Sequence, residues 1–279
     1  MISRPIAAIA AEIAEHGGNI ERIHRTASYP VTAIEFVVSD VDQDCLRPSL
    51  ATVANSHAVD IAVSPGGLMR WAKKLVVMDV DSTLIQQEVI ELLGRRAGKE
   101  AQIKEITDRA MRGELDFEAS LRQRVLTLKG LDEAVLGEVS QELSPTKGAR
   151  ELIEAIHARG GKAAAVSGGF IQLLAPVKEK LDFDLERANT LEVLEGKLTG
   201  QVIGKVIDRA AKAEALIEWA NDLGLSKDQT IAVGDGANDL GMMEIAGLSV
   251  AFCAKPVVQE KAKIALNERD LSLIIQLLP

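Results

Sequence analysis

Two aspartates that follow a short apolar segment are the residues of this sequence best suited to chemistry. Residues 75–78 read LVVM and predict a strand buried on both faces, and Asp79 and Asp81 follow it directly. Side chains alternate along an extended backbone, so we expect both carboxylates to project to the same side at the carboxyl end of this strand. Two such charges repel each other unless a cation lies between them. A hard divalent ion with oxygen ligands, most simply Mg²⁺, would keep both ionised and attract the oxygens of a phosphate.

A second strand end carries groups that suit a phosphate. Residues 163–166 predict a strand that ends in Ser167, Gly168 and Gly169 and then opens a helix. A hydroxyl and free backbone N–H groups at a helix N-terminus can hold an anion. Alone, this turn is equally typical of a serine that caps a helix.

A third strand end is acidic. Residues 230–233 predict a strand followed by the sequence GDGAND, in which Asp235 leaves the sheet and Asn238 and Asp239 begin the next helix. An acidic turn with a capped helix is the alternative interpretation. Beside the strand that bears Asp79, Asp235 would instead supply a further metal carboxylate.

Lys212 lies between these two turns in the chain, near the start of a predicted helix over residues 209–223. A helical lysine is usually a solvated surface residue. Its position in the chain between the two turns makes it a candidate for the same site.

The elements needed to position these residues follow from the pattern of the chain. Residues 1–70 predict the order α-β-β-α-β, with the last strand over 59–63 and a break at 65–67. Residues 86–145 contain only helical patterns and predict a four-helix insertion over the site. Strands and helices then alternate, with a hairpin turning at Glu195-Gly196 and a last helix over 257–266. This alternation predicts an α/β fold with a parallel sheet whose ligand lies beyond the carboxyl ends of the strands.

Composition excludes several classes of function. The 279 residues carry a net charge of −9 and no basic run, so we expect neither nucleic acid nor an anionic membrane as a partner. Cys45 and Cys253 lie in apolar surroundings and predict two buried thiols. The four histidines lack the spacing of zinc ligands. No apolar run could span a bilayer, and we expect a cytoplasmic protein.

Taken together, the motifs resemble the haloacid dehalogenase (HAD) superfamily of phosphotransferases. The pattern consists of DVDST, the serine turn, a lysine and GDGAND, with helices inserted after the first motif. Within the superfamily, DVDSTLIQQEVIE and the cap sequence MRGELDFEASLRQRV are similar to the phosphoserine phosphatases. The resemblance implies a Rossmannoid core over 71–279 with the helical cap at 86–145. The order of residues 1–70 resembles an ACT domain without its first strand, and Gly18-Asn19 falls where such domains can bind an amino acid. A small docking domain without a ligand is an equally good interpretation of these 70 residues.

The resemblance implies roles for the site residues. Asp79 would attack the phosphorus and form an aspartyl phosphate, and Asp81 would protonate the leaving serine oxygen and later deprotonate water. Mg²⁺ would be held by Asp79, the Asp81 backbone carbonyl and Asp235, with Asp239 supporting them. The phosphate oxygens would be held by Ser167, the Gly168 N–H and Lys212.

The same resemblance implies how a substrate is chosen. Phosphoserine carries an ammonium and a carboxylate, which Glu88 and Arg124 could bind respectively. Phe117 would seal the site against water, and Asn238 would help orient the substrate. Without the resemblance, ordinary surface salt bridges would be the default interpretation of Glu88 and Arg124.

These inferences predict hydrolysis of O-phospho-L-serine, the final step of L-serine biosynthesis, by a homodimer with a possible amino-acid effector at its N-terminal module. A phosphatase for another small phosphate, such as a sugar phosphate or a related amino acid, is the alternative enzyme. A scaffolding protein with an idle phosphatase domain is the alternative from another class. No GxxxxGK[ST] loop occurs, which argues against a nucleotide-dependent kinase.

Overall fold

A computed structural model describes residues 3–29, 31–64, 66, 72 and 74–278. Its N-terminal module consists of α1 (Ser3–Glu15), β1 (Asn19–Ala27), β2 (Ala33–Ser39) and α2 (Gln43–His57). The strands pair antiparallel, and the small core of this module is formed by Ile13, Leu46 and Leu50. Most of the predicted break at 65–67, and the predicted boundary between 70 and 71, lie outside the described residues.

Two predictions for this module are wrong. Residues 59–63 do not form a strand, although Ile61 and Val63 still pack against the small core. A strand needs a neighbour with free backbone groups, and within the described residues the sheet here contains only β1 and β2. Cys45 is exposed rather than buried, because the buried side of α2 runs through Leu46 and Leu50.

The larger part of the chain is built on a seven-stranded sheet of order β6-β5-β4-β3-β7-β8-β9. All neighbouring strands pair in parallel except β5 and β6, which form a hairpin at one edge. The strands are β3 (Leu75–Met78), β4 (Lys162–Phe170), β5 (Leu185–Leu194), β6 (Lys197–Ile203), β7 (Thr230–Gly234), β8 (Leu248–Phe252) and β9 (Ile264–Leu266). β3 lies between β4 and β7, with Met78 opposite both Ala165 and Val233. The three sequence motifs therefore meet at one edge of the sheet, as predicted.

Helices cover the sheet and the site. They are α3 (Val89–Arg96), α4 (Glu100–Met111), α5 (Phe117–Leu126), α6 (Ala134–Glu142), α7 (Ala149–Ala158), α8 (Ile171–Leu181), α9 (Arg209–Asp222), α10 (Leu240–Ile245) and α11 (Pro256–Gln259). α3 to α6 form the segment inserted after β3. The chain enters and leaves this segment at adjacent points, where the Gln86 N–H donates to the Ser144 carbonyl at 3.0 Å and the Thr146 N–H donates to the Leu84 carbonyl at 2.9 Å. Apolar residues of α5 and α6 belong to the same core as the sheet, so the inserted helices are packed on it.

The carboxyl-terminal part tests two further predictions. The hairpin turn at Glu195-Gly196 is confirmed, and both residues have positive φ, 51° and 75°, as a tight two-residue turn requires. The helix predicted over 257–266 is wrong, because α11 ends at Gln259 and β9 pairs with β8. Cys253 is half-buried rather than buried, since it directly follows the last residue of β8. Among the helices of the described residues, none combines the length and apolar character needed to cross a membrane.

Candidate active site

Asp79 and Asp81 line one open pocket with a cavity volume of about 120 Å³ at the carboxyl edge of the sheet. The Asp79 N–H donates to the Val233 carbonyl at 2.8 Å, which continues the sheet by one residue. The chain then bends through residues Val80–Leu84, where the Ile85 N–H donates to the Val80 carbonyl at 2.9 Å, although the backbone is still extended at Asp79 and at Asp81. Both carboxylates therefore reach the same pocket while Val80 between them is buried in the core, which agrees with the expected alternation.

Lys212 lies behind Asp79 and is fully buried. Its Nζ donates to Asp79 Oδ1 at 2.6 Å and to Asp239 Oδ1 at 2.7 Å. Burial lowers the pKa of Lys212, but the charges of Asp239 and Asp79 outweigh it and raise the pKa above its usual range. Burial, followed by the charge of Asp239, raises the pKa of Asp79 well above its usual range. The lysine is thus a fixed cation between two buried carboxylates.

Asp81 has surroundings suited to proton transfer. The Val89 N–H, at the start of α3, donates to Asp81 Oδ1 at 3.1 Å, and the Ser167 hydroxyl donates to Oδ2 at 3.4 Å. Burial and then the charge of Glu88 raise the pKa of Asp81 to about 7. A carboxyl with this pKa can both give and take a proton near neutral pH.

Three carboxylates could hold a metal ion. Asp79, Asp235 and Asp239 each offer an oxygen within 4.8 Å of the others. Both oxygens of Asp239 already accept hydrogen bonds, from Lys212 and from the Gly236 N–H at 3.0 Å. This donor set contains only oxygen, which suits Mg²⁺.

Glycine is required beside Asp239. A Cβ atom at Gly234 would lie 2.3 Å from Asp239 Oδ2. Any side chain there would displace the carboxylate that holds Lys212.

The serine turn differs from its prediction. β4 continues through Ser167 and Gly168 to Phe170 with irregular pairing to β5, and α8 begins only at Ile171. The Gly169 N–H is used locally, because it donates to Ser167 Oγ at 2.8 Å. The turn is therefore a bulge inside the strand rather than the first turn of a helix.

The residues predicted to choose the substrate line the pocket, as Glu88, Phe117, Arg124 and Asn238. Burial raises the pKa of Glu88 and lowers the pKa of Arg124, so both groups are partly desolvated. The Arg124 Nε donates to the Ser120 carbonyl at 3.3 Å, which orients the guanidinium along α5. The pocket thus contains one anionic and one cationic group beside the aspartates.

Phe117 closes one side of the pocket. A Cβ atom at Gly168 would lie 2.8 Å from Phe117 Cζ, so glycine permits the ring to approach the bulge.

Eight of the eleven predicted site residues line the pocket, namely Asp79, Asp81, Glu88, Phe117, Arg124, Gly168, Asp235 and Asn238. The other three lie behind it: Ser167 donates to Asp81, Lys212 donates to Asp79, and Asp239 accepts a hydrogen bond from Lys212.

Two hydroxyls that the sequence analysis missed hold pocket carboxylates. The Ser82 hydroxyl donates to Glu88 Oε1 at 2.6 Å, and the Thr83 hydroxyl donates to Asp235 Oδ1 at 3.0 Å. Ser82 has a positive φ of 58°, an unusual conformation for serine. Their position directly after Asp81 is the feature of the sequence that could have identified them as part of the site.

Two family models match this chain, and proteins of similar sequence are known. The family model for haloacid dehalogenase-like hydrolases matches residues 76–244, and an ACT domain model matches residues 1–64. A phosphoserine phosphatase of Streptomyces coelicolor is 53% identical over 98% of this chain and 66% of its own length. A phosphoserine phosphatase of Mycobacterium tuberculosis is 43% identical over the whole chain and 70% of its own length. This chain therefore spans about two thirds of the length of these two relatives.

Similar proteins are also found among the solved structures. A phosphoserine phosphatase captured as a phospho-aspartyl intermediate analogue is 46% identical, with a TM-score of 0.70 over 74% of this chain and 99% of that one. All the residues that line the pocket lie within the segment 76–244 matched by the hydrolase family model. The chain belongs to the haloacid dehalogenase-like hydrolases and, among them, to the phosphoserine phosphatase family.

Proposed function

We propose that this protein is an Mg²⁺-dependent phosphomonoesterase that hydrolyses O-phospho-L-serine to L-serine and phosphate. One observation carries the proposal. A single pocket combines a carboxylate paired with a buried lysine, a carboxyl with a pKa of about 7, and a desolvated pair of opposite charges from Glu88 and Arg124. The first two suit phosphoryl transfer, and the third suits an amino acid as the alcohol.

In this proposal Asp79 is the nucleophile. Its attack on phosphorus forms an aspartyl phosphate while the bond to the serine oxygen breaks. Asp81 donates the proton that this oxygen needs, and then takes a proton from the water that hydrolyses the intermediate. The pKa of about 7 supports both steps.

Phosphate oxygens would be held by Ser167, the Gly168 N–H and Lys212. Lys212 is well suited, because its contact with Asp79 places a fixed positive charge beside the nucleophile. Preorganised charges of this kind stabilise the transition state without the cost of reorienting water.

Mg²⁺ is the ion that best fits the all-oxygen donor set. Asp79, Asp235 and the backbone carbonyl of Asp81 would hold it, while Asp239 supports Lys212. When bound, the ion neutralises phosphate charge and so allows an anionic nucleophile to approach.

Charge explains the proposed choice of substrate. Arg124 would bind the carboxylate of phosphoserine in bidentate fashion, and Glu88 would pair with its ammonium. Phe117 would exclude water and Asn238 would orient the ligand. A sugar phosphate has no charges to match Glu88 and Arg124 and is disfavoured for that reason.

The N-terminal module is a separate proposal. We propose that it binds an amino-acid effector near Gly18-Asn19, which the ACT domain match supports. Asn19 begins β1, and its side-chain amide donates to Glu21 at 2.7 Å. Dimerisation, cytoplasmic location and a place as the last step of serine synthesis remain predictions.

The experiment is phosphate release with Mg²⁺ from phosphoserine, phosphothreonine, a sugar phosphate and an aryl phosphate, repeated with EDTA. Asp79→Asn, purified in parallel, controls for contaminating phosphatases. We expect phosphoserine to dominate and EDTA to stop release. Equal release from all substrates would refute the substrate assignment, and no release from any would favour the idle-scaffold alternative.

A further inference from the structure

Asn189 on β5 is a buried polar residue that lies outside the pocket lining. Its side chain is 1% exposed, and both ends of its amide are used. Nδ2 donates to the Gly168 carbonyl at 2.8 Å, and Oδ1 accepts the Ile207 N–H at 2.8 Å. These partners fix the orientation of the amide. In a flipped amide the Nδ2 donor would face the Ile207 N–H and the Oδ1 acceptor would face the Gly168 carbonyl.

The contact with Gly168 continues towards the reacting groups. The carbonyl of Gly168 and the N–H of Gly169 belong to one peptide unit, so Asn189 holds one end of it and Ser167 Oγ holds the other at 2.8 Å. Because Ser167 Oγ accepts this bond, its own proton is directed elsewhere, and Asp81 Oδ2 lies 3.4 Å away. Four hydrogen bonds thus run in one direction from Ile207 to Asp81, and each polarises the next.

The other end of Asn189 reaches the segment that carries the lysine. Ile207 immediately precedes Asp208, whose side chain accepts the Ala211 N–H at 2.8 Å and so caps α9. Lys212 lies on the first turn of that helix. Asn189 is therefore the direct polar link between the Gly168 bulge and the start of the Lys212 helix.

We propose that Asn189 is a positioning residue for phosphoryl transfer, which sets the direction of the Ser167 hydroxyl by holding the Gly168–Gly169 peptide to the segment before α9. The inference rests on the proposed phosphatase function. It predicts an effect on the phosphate part of the reaction, common to all substrates, and none on the recognition of serine.

The test uses Asn189→Asp, which retains the acceptor for the Ile207 N–H but lacks the donor to Gly168. Thr230→Val is the matched control, because Thr230 is also fully buried and makes two hydrogen bonds, but it begins β7 and so lies at the end of that strand farthest from the pocket. We expect Asn189→Asp to lower kcat by about tenfold to a hundredfold for phosphoserine and for an aryl phosphate alike, with KM changed less than about threefold. Thr230→Val should leave kcat unchanged.

A double-mutant cycle separates positioning from general destabilisation. In a Ser167→Ala background, Asn189→Asp should cost less than about threefold in kcat, because the hydroxyl that it directs is gone. An undiminished loss in that background, or an unchanged kcat in the single variant, would overturn the proposal.

Hydrogen exchange provides a readout that does not depend on activity. The Gly169 amide should exchange faster in Asn189→Asp than in the wild type or in Thr230→Val. If the wild type hydrolyses no phosphate ester, the proposed function fails, and the exchange result still decides the positioning claim. Equal Gly169 exchange in all three proteins would refute it.

Discussion

Replacement of Arg124 by alanine tests the proposed recognition of serine. Arg124 lines the pocket from α5, and its Nε is held by the Ser120 carbonyl at 3.3 Å. Burial lowers the pKa of its guanidinium, with Glu88 the largest opposing charge. The side chain is therefore a partly desolvated cation that is oriented before a substrate arrives.

The expected magnitude follows from this environment. Removing one partner of a buried, hydrogen-bonded charge pair costs about 2–5 kcal/mol. Arg124 is only half-buried, so we expect the lower part of this range, about 2–3 kcal/mol, or roughly 30- to 150-fold in kcat/KM for phosphoserine. Arg124→Lys should lose about tenfold, because the charge remains but the bidentate geometry does not.

The assay compares three phosphate esters. Phosphoserine carries both charges, O-phosphoethanolamine lacks the carboxylate, and an aryl phosphate lacks both. We expect Arg124→Ala to affect phosphoserine alone. Glu88→Gln should affect phosphoserine and O-phosphoethanolamine more than the aryl phosphate, because it removes the ammonium partner in addition to its common effect on Asp81. Arg122→Ala is the matched control, since Arg122 lies on the same helix but pairs with exposed Glu118. Equal losses on all three esters in Arg124→Ala would refute the carboxylate role.

Three further predictions concern the aspartates. Lys212→Met should destabilise the metal-free protein by about 3 kcal/mol near neutral pH, because it leaves two buried carboxylates without a counter-charge; urea denaturation measures this, and a loss below about 1 kcal/mol would contradict it. In the metal-free protein Asp81 should titrate near pH 7. Because its pKa is raised on folding, the stability that protonated Asp81 contributes is fully present below its usual pKa and is lost as pH rises through about 7. Glu88→Gln should lower the titration midpoint of Asp81; carboxyl NMR measures this midpoint in both proteins, and a value near 4 in the wild type would contradict burial as the cause. Thr83→Val should weaken Mg²⁺ binding by about tenfold, because Thr83 orients Asp235; calorimetry measures the affinity, and an unchanged value would exclude this role.

The elements that end in reactive side chains could be predicted from the sequence. An apolar run that stops at a carboxylate has few interpretations, and the ends of adjacent parallel strands must meet. For this reason the sequence alone predicts that Asp79 and Asp235 lie close together. Lys212 depended instead on its order in the chain, because nothing in its local sequence distinguishes it from a surface lysine.

Short segments and supporting residues could not be predicted. Ile264 to Leu266 satisfy a helix or a strand equally well, and only the free edge of β8 decides between them. Asn189 interrupts a strand pattern as any outward-facing polar residue would. Its role depends on the register that places it opposite Phe170, beyond the Gly168 bulge, and local sequence does not contain that register.

The most direct test of the account is capture of the aspartyl phosphate. Mg²⁺-loaded protein would be mixed with phosphoserine carrying a radiolabelled phosphate group and quenched in acid during the first turnover, so that protein-bound phosphate can be counted. A second sample with unlabelled phosphoserine would be reduced with tritiated borohydride, which expels the phosphate and converts the phosphorylated aspartate into tritiated homoserine. We expect protein-bound phosphate and tritiated homoserine at position 79 in the wild type and neither in Asp79→Asn, which should keep its fold but lose turnover. Rapid phosphate release without bound label, or label and turnover in Asp79→Asn, would contradict the account.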